Sequence, residues 1–291
     1  MGKKLCYLIG YPVGHSISPA MHNAAFNQLD LDREYSLLEI KPDKLKDAIN
    51  VLREPDNIGF NVTIPHKQAV MEYIDMVTEL AEKLGAVNTV KIQDEKLIGY
   101  NTDGPGFIDS LKQDINFNPA GKNIILLGAG GAGSAVAMML ADSKIKKLTI
   151  QEPRTEQVDK LLNKTKKYYP TLEVAVSSNL QKDIDNASLL VNATPVGMHP
   201  KVEASPLPTG IKLHPKLCVY DLVYMPEKTL LMQQAESAGA KAFSGLGMLV
   251  RQGALSFTLI NGTPAPYRTM YRAARLALQE KRTDRKPDTQ D

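Results

Sequence analysis

Lys67, Asn88, Asn101 and Asp103 lie close together along the chain, each expected near a strand end or a turn. An amine beside a carboxylate, partly withdrawn from water, can shuttle a proton to an alkoxide or ketone oxygen, and two neighbouring amides can orient a polar substrate. Taken singly, Lys67 reads as a solvated helix-surface lysine and Asp103 as a helix N-cap. Together they form a candidate acid–base pair. Upstream, Ser16 and Ser18 fall at a strand-to-helix turn, where backbone N–H groups are also unpaired. Hydroxyls there can hold a carboxylate without a full counter-charge, although position alone favours plain capping. Asn61, Thr63, His66 and Lys67 cluster at the carboxyl end of a further strand, where open α/β sheets place their ligands.

A second constellation is Gly128-x-Gly130-x-x-Gly133. An apolar run, Ile124 to Leu127, precedes it, and a small-residue helix, Ser134 to Asp142, follows. A second apolar run, Leu148 to Ile150, ends at Glu152. Strand, glycine turn, helix, strand and acid in this order form a dinucleotide-binding unit. Gly128 makes the tight turn, Gly130 lets the backbone approach a pyrophosphate, and Gly133 lets helix and strand pack closely. The helix start then holds the anion through its N–H groups and dipole. The bland alternative is a packing turn that binds nothing.

The elements that must carry these residues alternate throughout. Strands are expected at Leu5–Ile9, Tyr35–Ile40, Ile58–Thr63, Gly85–Val90 and Lys96–Tyr100. Helices are expected at Ala20–Leu29, Pro42–Arg53, Pro65–Tyr73 and Thr78–Leu84, then from Gly104 through Lys112. After the glycine turn come strands at Glu173–Val176, Ala187–Val191, Leu217–Leu222 and Lys241–Phe243, with helices between them. Two helices, Leu249–Leu259 and Tyr267–Gln279, remain without a sheet of their own and are expected to pack on the first domain.

The fold class is therefore α/β with two domains. One is an N-terminal substrate domain with a mostly parallel sheet, formed by residues 1–103 plus 247–280. The other, 104–246, is a Rossmann domain, and the active site is expected in the cleft between them. Residues 281–291 read as a polar tail.

Bulk properties exclude other classes. The chain has 291 residues, 43% hydrophobic and 23% charged, with a net charge of +3. That charge is too small to argue for nucleic acid or an anionic membrane. The N-terminus has neither the apolar length of a membrane span nor the form of a signal peptide. Cys6 and Cys218 read as buried free thiols, which fits a reducing cytoplasm. The five histidines are scattered and offer no metal-ligand spacing.

Several stretches resemble the shikimate dehydrogenase family, in order along the whole chain except the polar tail. They are Gly14-His15-Ser16-Ile17-Ser18-Pro19, Asn61-Val62-Thr63-Ile64-Pro65-His66-Lys67, Gly85-Ala86-Val87-Asn88-Thr89 and Tyr100-Asn101-Thr102-Asp103-Gly104. Gly128 to Gly133, Asn192-Ala193-Thr194-Pro195 and Gly245 to Gln252 continue the series. The resemblance implies reversible NADPH-dependent reduction of 3-dehydroshikimate to shikimate, a step towards the aromatic amino acids, in the cytoplasm. It implies a small-molecule substrate, no nucleic acid or membrane partner, and a monomer or homodimer.

By motif match Ser16 and Ser18 would hold the substrate carboxylate, and Thr63, Asn88, Asp103, Tyr224 and Gln252 its ring hydroxyls. Lys67 would be the acid–base residue with Asp103 beside it. Gly128, Ala129, Gly130, Gly131, Ala132, Glu152, Arg154, Thr194, Leu222 and Gly245 would line the cofactor. A lysine acting as base must shed its proton near neutrality, and an adjacent carboxylate opposes that. An orienting role for Lys67, with water carrying the proton, therefore stays open.

Relatives that use NADP usually carry an Asn-Arg-Thr run after the second strand of the dinucleotide unit, whose arginine grips the 2′-phosphate. Here Gln151-Glu152-Pro153-Arg154-Thr155 displaces the arginine by Pro153 and places an acid where NAD enzymes bond the ribose. NADP is the expected cofactor and NAD the alternative, together with activity on quinate. A silent regulator on the same fold would be expected to lack Lys67 or Asp103, and a methylene-tetrahydrofolate dehydrogenase would lack the paired serines.

Overall fold

A computed structural model of the protein describes residues 2–283. The chain divides into two compact units. One takes the chain up to Gly106 and again from Val250; the other spans Phe107–Leu249.

The first unit opens with β1 (Lys4–Gly10), α1 (Ser18–Gln28), β2 (Arg33–Glu39), α2 (Leu45–Val51) and β3 (Asn57–Val62). Next come β4 (Met76–Val77), α3 (Glu79–Leu84), β5 (Thr89–Gln93) and β6 (Lys96–Tyr100), and α4 (Asp103–Asp109) begins in this unit. The sheet order is β2-β1-β3-β5-β6-β4. β1 pairs in parallel with both β2 and β3, and β4 with β6. β5 runs antiparallel to β3 and β6. The β5–β6 hairpin turns on Asp94 and Glu95, both at positive φ (49° and 61°), which matches the right-handed strand twist.

One face of the sheet buries Ile9, Phe60, Val62, Val90 and Leu97 against Leu45, Ile49 and Leu52 around α2. A second apolar group includes Phe26 of α1, whose ring lies 5.3 Å from that of Phe257. His22 is fully enclosed there and stacks on Tyr35 at 4.1 Å.

His22 sets a pH dependence of stability. Burial pushes its pKa down to about 3, so the folded protein keeps it neutral while the unfolded chain takes up a proton near its ordinary value of 6.5. Its contribution is complete above that ordinary value and is lost as pH falls from there towards the folded value. We expect His22 to remove about 2 kcal/mol of stability between roughly pH 7 and 5. His22→Phe, which keeps an aromatic ring, should lack that component. Urea unfolding of both proteins at the two pH values checks this, and equal losses would refute it.

The second unit contains β7 (Asn123–Leu127), α5 (Gly131–Asp142), β8 (Lys147–Gln151), α6 (Thr155–Tyr168), β9 (Glu173–Val176) and α7 (Leu180–Asp185). It continues with β10 (Leu189–Asn192), β11 (Cys218–Asp221), α8 (Leu230–Ser237) and β12 (Lys241–Ser244). All its strand pairs are parallel, in the order β12-β11-β10-β7-β8-β9. Read from β9, this is the doubly wound dinucleotide-fold order, with β7 and β10 at the switch point. Ile124 to Leu127 and Leu189 to Val191 are buried on both faces, as a central parallel strand requires. α9 (Leu246–Asn261) carries the chain back to the first unit, and α10 (Tyr267–Thr283) packs on α1.

Several expectations need correction. No α-helix follows Pro65; the chain makes successive turns and then a short 3-10 turn, Ala69–Glu72. The Lys67 carbonyl, which a helix would use internally, instead accepts the Val87 N–H at 2.8 Å. The helix expected from Pro42 starts as a 3-10 turn and becomes α-helical only at Leu45. The helix expected through Lys112 ends at Asp109 and passes into a π-helical turn, Ser110–Asp114. The strand expected from Gly85 begins at Thr89, because Gly85 takes the left-handed conformation that ends α3. α10 extends through Thr283 into the expected tail, and positions 284–291 lie outside the described residues. Both cysteines are buried and free; burial pushes the Cys6 thiol up to about 12 and that of Cys218 to about 11.

Candidate active site

In the first unit Lys67 and Asp103 form an ion pair, Nζ to Oδ2 at 2.7 Å, with side chains 30% and 17% exposed. The pair is thus shielded from bulk water yet still open to a ligand. Lys67 reaches it from the turns after β3, and Asp103 from the first position of α4. Asp103 does not cap that helix. Asn101 does, its Oδ1 accepting the Gly104 N–H at 3.1 Å, while its Nδ2 donates to the Ala86 carbonyl at 2.8 Å. The carboxylate is left for Lys67.

Asn88 follows Val87, whose N–H donates to the Lys67 carbonyl at 2.8 Å. It is buried just before β5. Its Oδ1 accepts the Thr102 N–H at 2.7 Å, and its Nδ2 donates to Thr102 Oγ1 at 2.9 Å and Gln252 Oε1 at 3.2 Å. Asn88 therefore ties Gln252 to Thr102, the residue that precedes Asp103 of the ion pair.

Behind it lies a buried hub that the sequence did not reveal. Asn61 Oδ1 accepts the Tyr35 hydroxyl at 2.8 Å. Its Nδ2 lies 3.0 Å from both the Asn88 carbonyl and Thr89 Oγ1, and 2.7 Å from Ser256 Oγ. Ser256 is one helical turn beyond Gln252 on α9, so the hub also fixes the helix that carries Gln252. His66, grouped with these residues by position, instead faces away: its Nε2 contacts the Ile40 carbonyl at 2.7 Å, buried.

Thr63 sits at the carboxyl end of β3, its N–H donating to the Ile9 carbonyl at 2.9 Å. The neighbouring end of β1 leads through the loop to Ser16 and Ser18. Ile17 occupies the N-cap position of α1 without a side-chain cap bond, which corrects the simple capping picture. Ser16 Oγ accepts the Ser18 N–H at 3.1 Å and donates to Ser18 Oγ at 3.0 Å. The two hydroxyls thus form a pair at a helix start rather than a conventional cap. The structure records no direct bond between them and Lys67.

In the second unit the glycine turn joins β7 to α5. Gly128 has φ +94°, and a Cβ there would lie 2.8 Å from Thr194 Cγ2. A Cβ on Gly133 would lie 2.1 Å from the Gly128 carbonyl oxygen, so only glycine allows this approach of helix to turn. A Cβ on Gly131 would meet nothing within 4 Å, and Gly131 and Ala132 are exposed. No side chain caps the start of α5. A tight turn, an uncapped helix start and open space above it fit a dinucleotide pyrophosphate.

At the end of β8, Glu152 accepts the Ala129 N–H at 3.0 Å and is gripped by the Arg154 guanidinium at 2.8 and 2.9 Å. These bonds, Arg154 foremost, hold its carboxyl down at about 2.

Further along the same sheet edge, Asp221 is wholly buried. It accepts Asn192 Nδ2 at 2.8 Å, the Val223 N–H at 3.1 Å and the Thr229 hydroxyl at 2.6 Å. Asn192 Oδ1 in turn accepts the N–H and hydroxyl of Thr194 at 3.0 and 2.6 Å. The chain Asp221, Asn192, Thr194 therefore sets the loop that packs over Gly128. Leu222 and Gly245 meet closely here; a Cβ on Gly245 would lie 2.1 Å from the Leu222 carbonyl oxygen. Tyr224 belongs to this unit too, half-buried in the loop after β11, and burial raises its hydroxyl pKa. Among the described residues no cluster of His, Cys, Asp or Glu could hold a metal ion, and no helix is long and apolar enough to cross a membrane.

A doubly wound sheet with this glycine turn, in one chain with a second α/β unit bearing a lysine–carboxylate pair, defines a dinucleotide-binding α/β protein of two units. Comparison with known proteins narrows this. Residues 8–90 match the family model for the shikimate dehydrogenase substrate binding domain, and residues 245–275 that for the shikimate 5'-dehydrogenase C-terminal domain. A protein of Methanopyrus kandleri named shikimate dehydrogenase (NADP(+)) is 43% identical over 269 residues, covering 91% of this chain and 93% of its own. A crystal structure of a shikimate dehydrogenase in complex with NADP+ superposes with a TM-score of 0.88 at 36% identity, over 95% of this chain and 96% of that one. The Listeria monocytogenes shikimate 5-dehydrogenase, in complex with shikimate and NAD, superposes at 0.87 with 34% identity, over 93% and 96%. The chain belongs to the shikimate dehydrogenase family.

Proposed function

We propose that this protein is an NADP-dependent shikimate dehydrogenase, interconverting 3-dehydroshikimate and shikimate as a monomer or homodimer in the cytoplasm. The observation that carries the reading is the Lys67–Asp103 pair at 2.7 Å, in a first unit that also holds the Asn88–Gln252 bond at 3.2 Å and in a chain of this family. Shikimate is a small anion with several hydroxyls. It calls for short hydrogen-bonding side chains and one proton shuttle, which is the inventory these residues supply. The glycine turn of the second unit would hold NADPH, which when bound would supply the hydride.

Lys67 donates a proton to the oxygen of the reduced carbon, or holds that oxygen while water does so. Asp103 accepts one of the three N–H bonds of the ammonium, which aims the remaining ones. Asn88, held through Thr102, and Gln252 orient ring hydroxyls together with Thr63 and Tyr224. Ser16 and Ser18 bind the carboxylate through hydroxyls and backbone N–H groups at the start of α1. Gly128 through Ala132 receive the pyrophosphate, and Glu152, Arg154, Thr194, Leu222 and Gly245 border the rest of the cofactor. The domain limits proposed for this division of labour are 1–103 with 247–280, and 104–246.

The test is absorbance at the reduced-nicotinamide band, with shikimate or quinate paired in turn with NADP+ or NAD+. Turnover is expected with shikimate and NADP+ above all other pairings. Faster turnover of quinate with NAD+ would move the protein to the broader-specificity branch. No turnover in any pairing, from folded protein, would refute the enzymatic reading.

A further inference from the structure

The sequence alone sets Glu152 against a phosphorylated cofactor, because a carboxylate at the end of the second strand bonds a ribose 2′-hydroxyl and repels a 2′-phosphate. The geometry gives this residue a different task. Its side chain is only 3% exposed, while that of Arg154 is 64% exposed. Oε1 accepts the Arg154 N–H at 3.0 Å and its Nε at 2.8 Å. Oε2 accepts the Ala129 N–H at 3.0 Å and Arg154 Nη2 at 2.9 Å. A carboxylate has about four lone-pair positions, and these bonds occupy them. Little acceptor capacity is left for a ribose hydroxyl. Its charge, moreover, lies against a guanidinium in a two-bond fork, the strongest form of this pairing.

The same bonds define where Arg154 is. The residues are only two apart, and Pro153 between them fixes the backbone that folds the arginine back over the acid. The guanidinium is held so that its Nη2 lies 3.9 Å from where a Cβ on Gly130 would be. The cation thus borders the glycine turn, exposed to solvent, with its other N–H donors uncommitted to Glu152.

We propose that Glu152 is a positioning residue: it fixes Arg154 at the rim of the glycine turn and so selects a 2′-phosphorylated dinucleotide, instead of bonding the ribose as an NAD-type acid. This rests on the NADP reading above and goes beyond it. The acid raises affinity for the phosphorylated cofactor through the arginine it holds, so its removal has the opposite sign from simple charge repulsion.

The experiment is calorimetric titration of NADP+ and NAD+, without shikimate, into wild-type protein, Glu152→Gln, Glu152→Ala, Arg154→Ala and the double Ala variant. Circular dichroism establishes that each is folded. Glu152→Ala is expected to weaken NADP+ binding about tenfold, with NAD+ changed by less than about twofold. Glu152→Gln, which can still accept the Ala129 N–H, should fall between. In the Arg154→Ala background the sign should reverse, because removing an unpaired carboxylate then strengthens NADP+ binding. Tighter NADP+ binding by Glu152→Ala with Arg154 present would overturn the proposal. So would equal losses for both dinucleotides, which would make Glu152 a loop anchor or a ribose ligand. Wild-type protein that binds NAD+ but not NADP+ would instead overturn the NADP reading itself, and this proposal with it.

Discussion

Lys67→Ala should lower kcat by about 10²- to 10⁴-fold while KM changes only a few-fold. The ammonium is one of several groups expected around the substrate, so binding survives its loss. In the proposed role its distinctive contribution falls where charge develops on the reacting oxygen, in the transition state. Truncation also leaves Asp103, 17% exposed and 2.7 Å from the lost amine, as an unpaired carboxylate facing that oxygen. This adds to the loss in kcat, because the developing charge is of the same sign. Steady-state kinetics in both directions check the prediction. A large rise in KM with kcat intact would show Lys67 to be a binding residue and no more.

The largest expected effect on stability belongs to Asn61→Ala. The amide serves four partners on three other segments: Tyr35, the Asn88 carbonyl with Thr89, and Ser256. All these groups are buried. Each buried polar group left without a partner costs about 1–3 kcal/mol, and the small cavity adds to this. We therefore expect about 3–5 kcal/mol of lost stability, a large share of what a domain normally has. Urea unfolding at constant pH measures it. A loss below about 1 kcal/mol would show that water takes the place of the amide.

The glycine turn was legible because its glycines answer to local sterics: a Cβ on Gly133 would lie 2.1 Å from a backbone oxygen of the same turn. The alternation of strands and helices in the second unit was legible too, since buried parallel strands such as Ile124 to Leu127 are continuous apolar runs.

In the first unit the mostly parallel pairing was legible, but its one reversal was not. β5 reverses within an otherwise parallel sheet, and side-chain periodicity is the same for either direction. The turns after Pro65 read as helix because nothing local announces that Val87, on a distant segment, claims the Lys67 carbonyl. Long-range partnership likewise hid the Asn61 hub, whose Ser256 contact joins positions from opposite ends of the chain. Glu152 and Arg154 were both visible. Their sequence separation gave charge and distance but not orientation, and orientation is what turns repulsion into anchorage.

The division of the first unit into two stretches of chain also constrains biosynthesis. Its sheet is encoded before the second unit, but Phe257, Ser256 and Gln252 on α9, and all of α10, are encoded after it. During vectorial translation the second unit has all its strands before the first unit has all its helices. Until α9 and α10 emerge, α1 and the face bearing Tyr35 and Phe26 lack their covering layer. The nascent protein must therefore carry an unfinished apolar surface through the synthesis of a whole intervening unit, the interval in which a chaperone has most to protect.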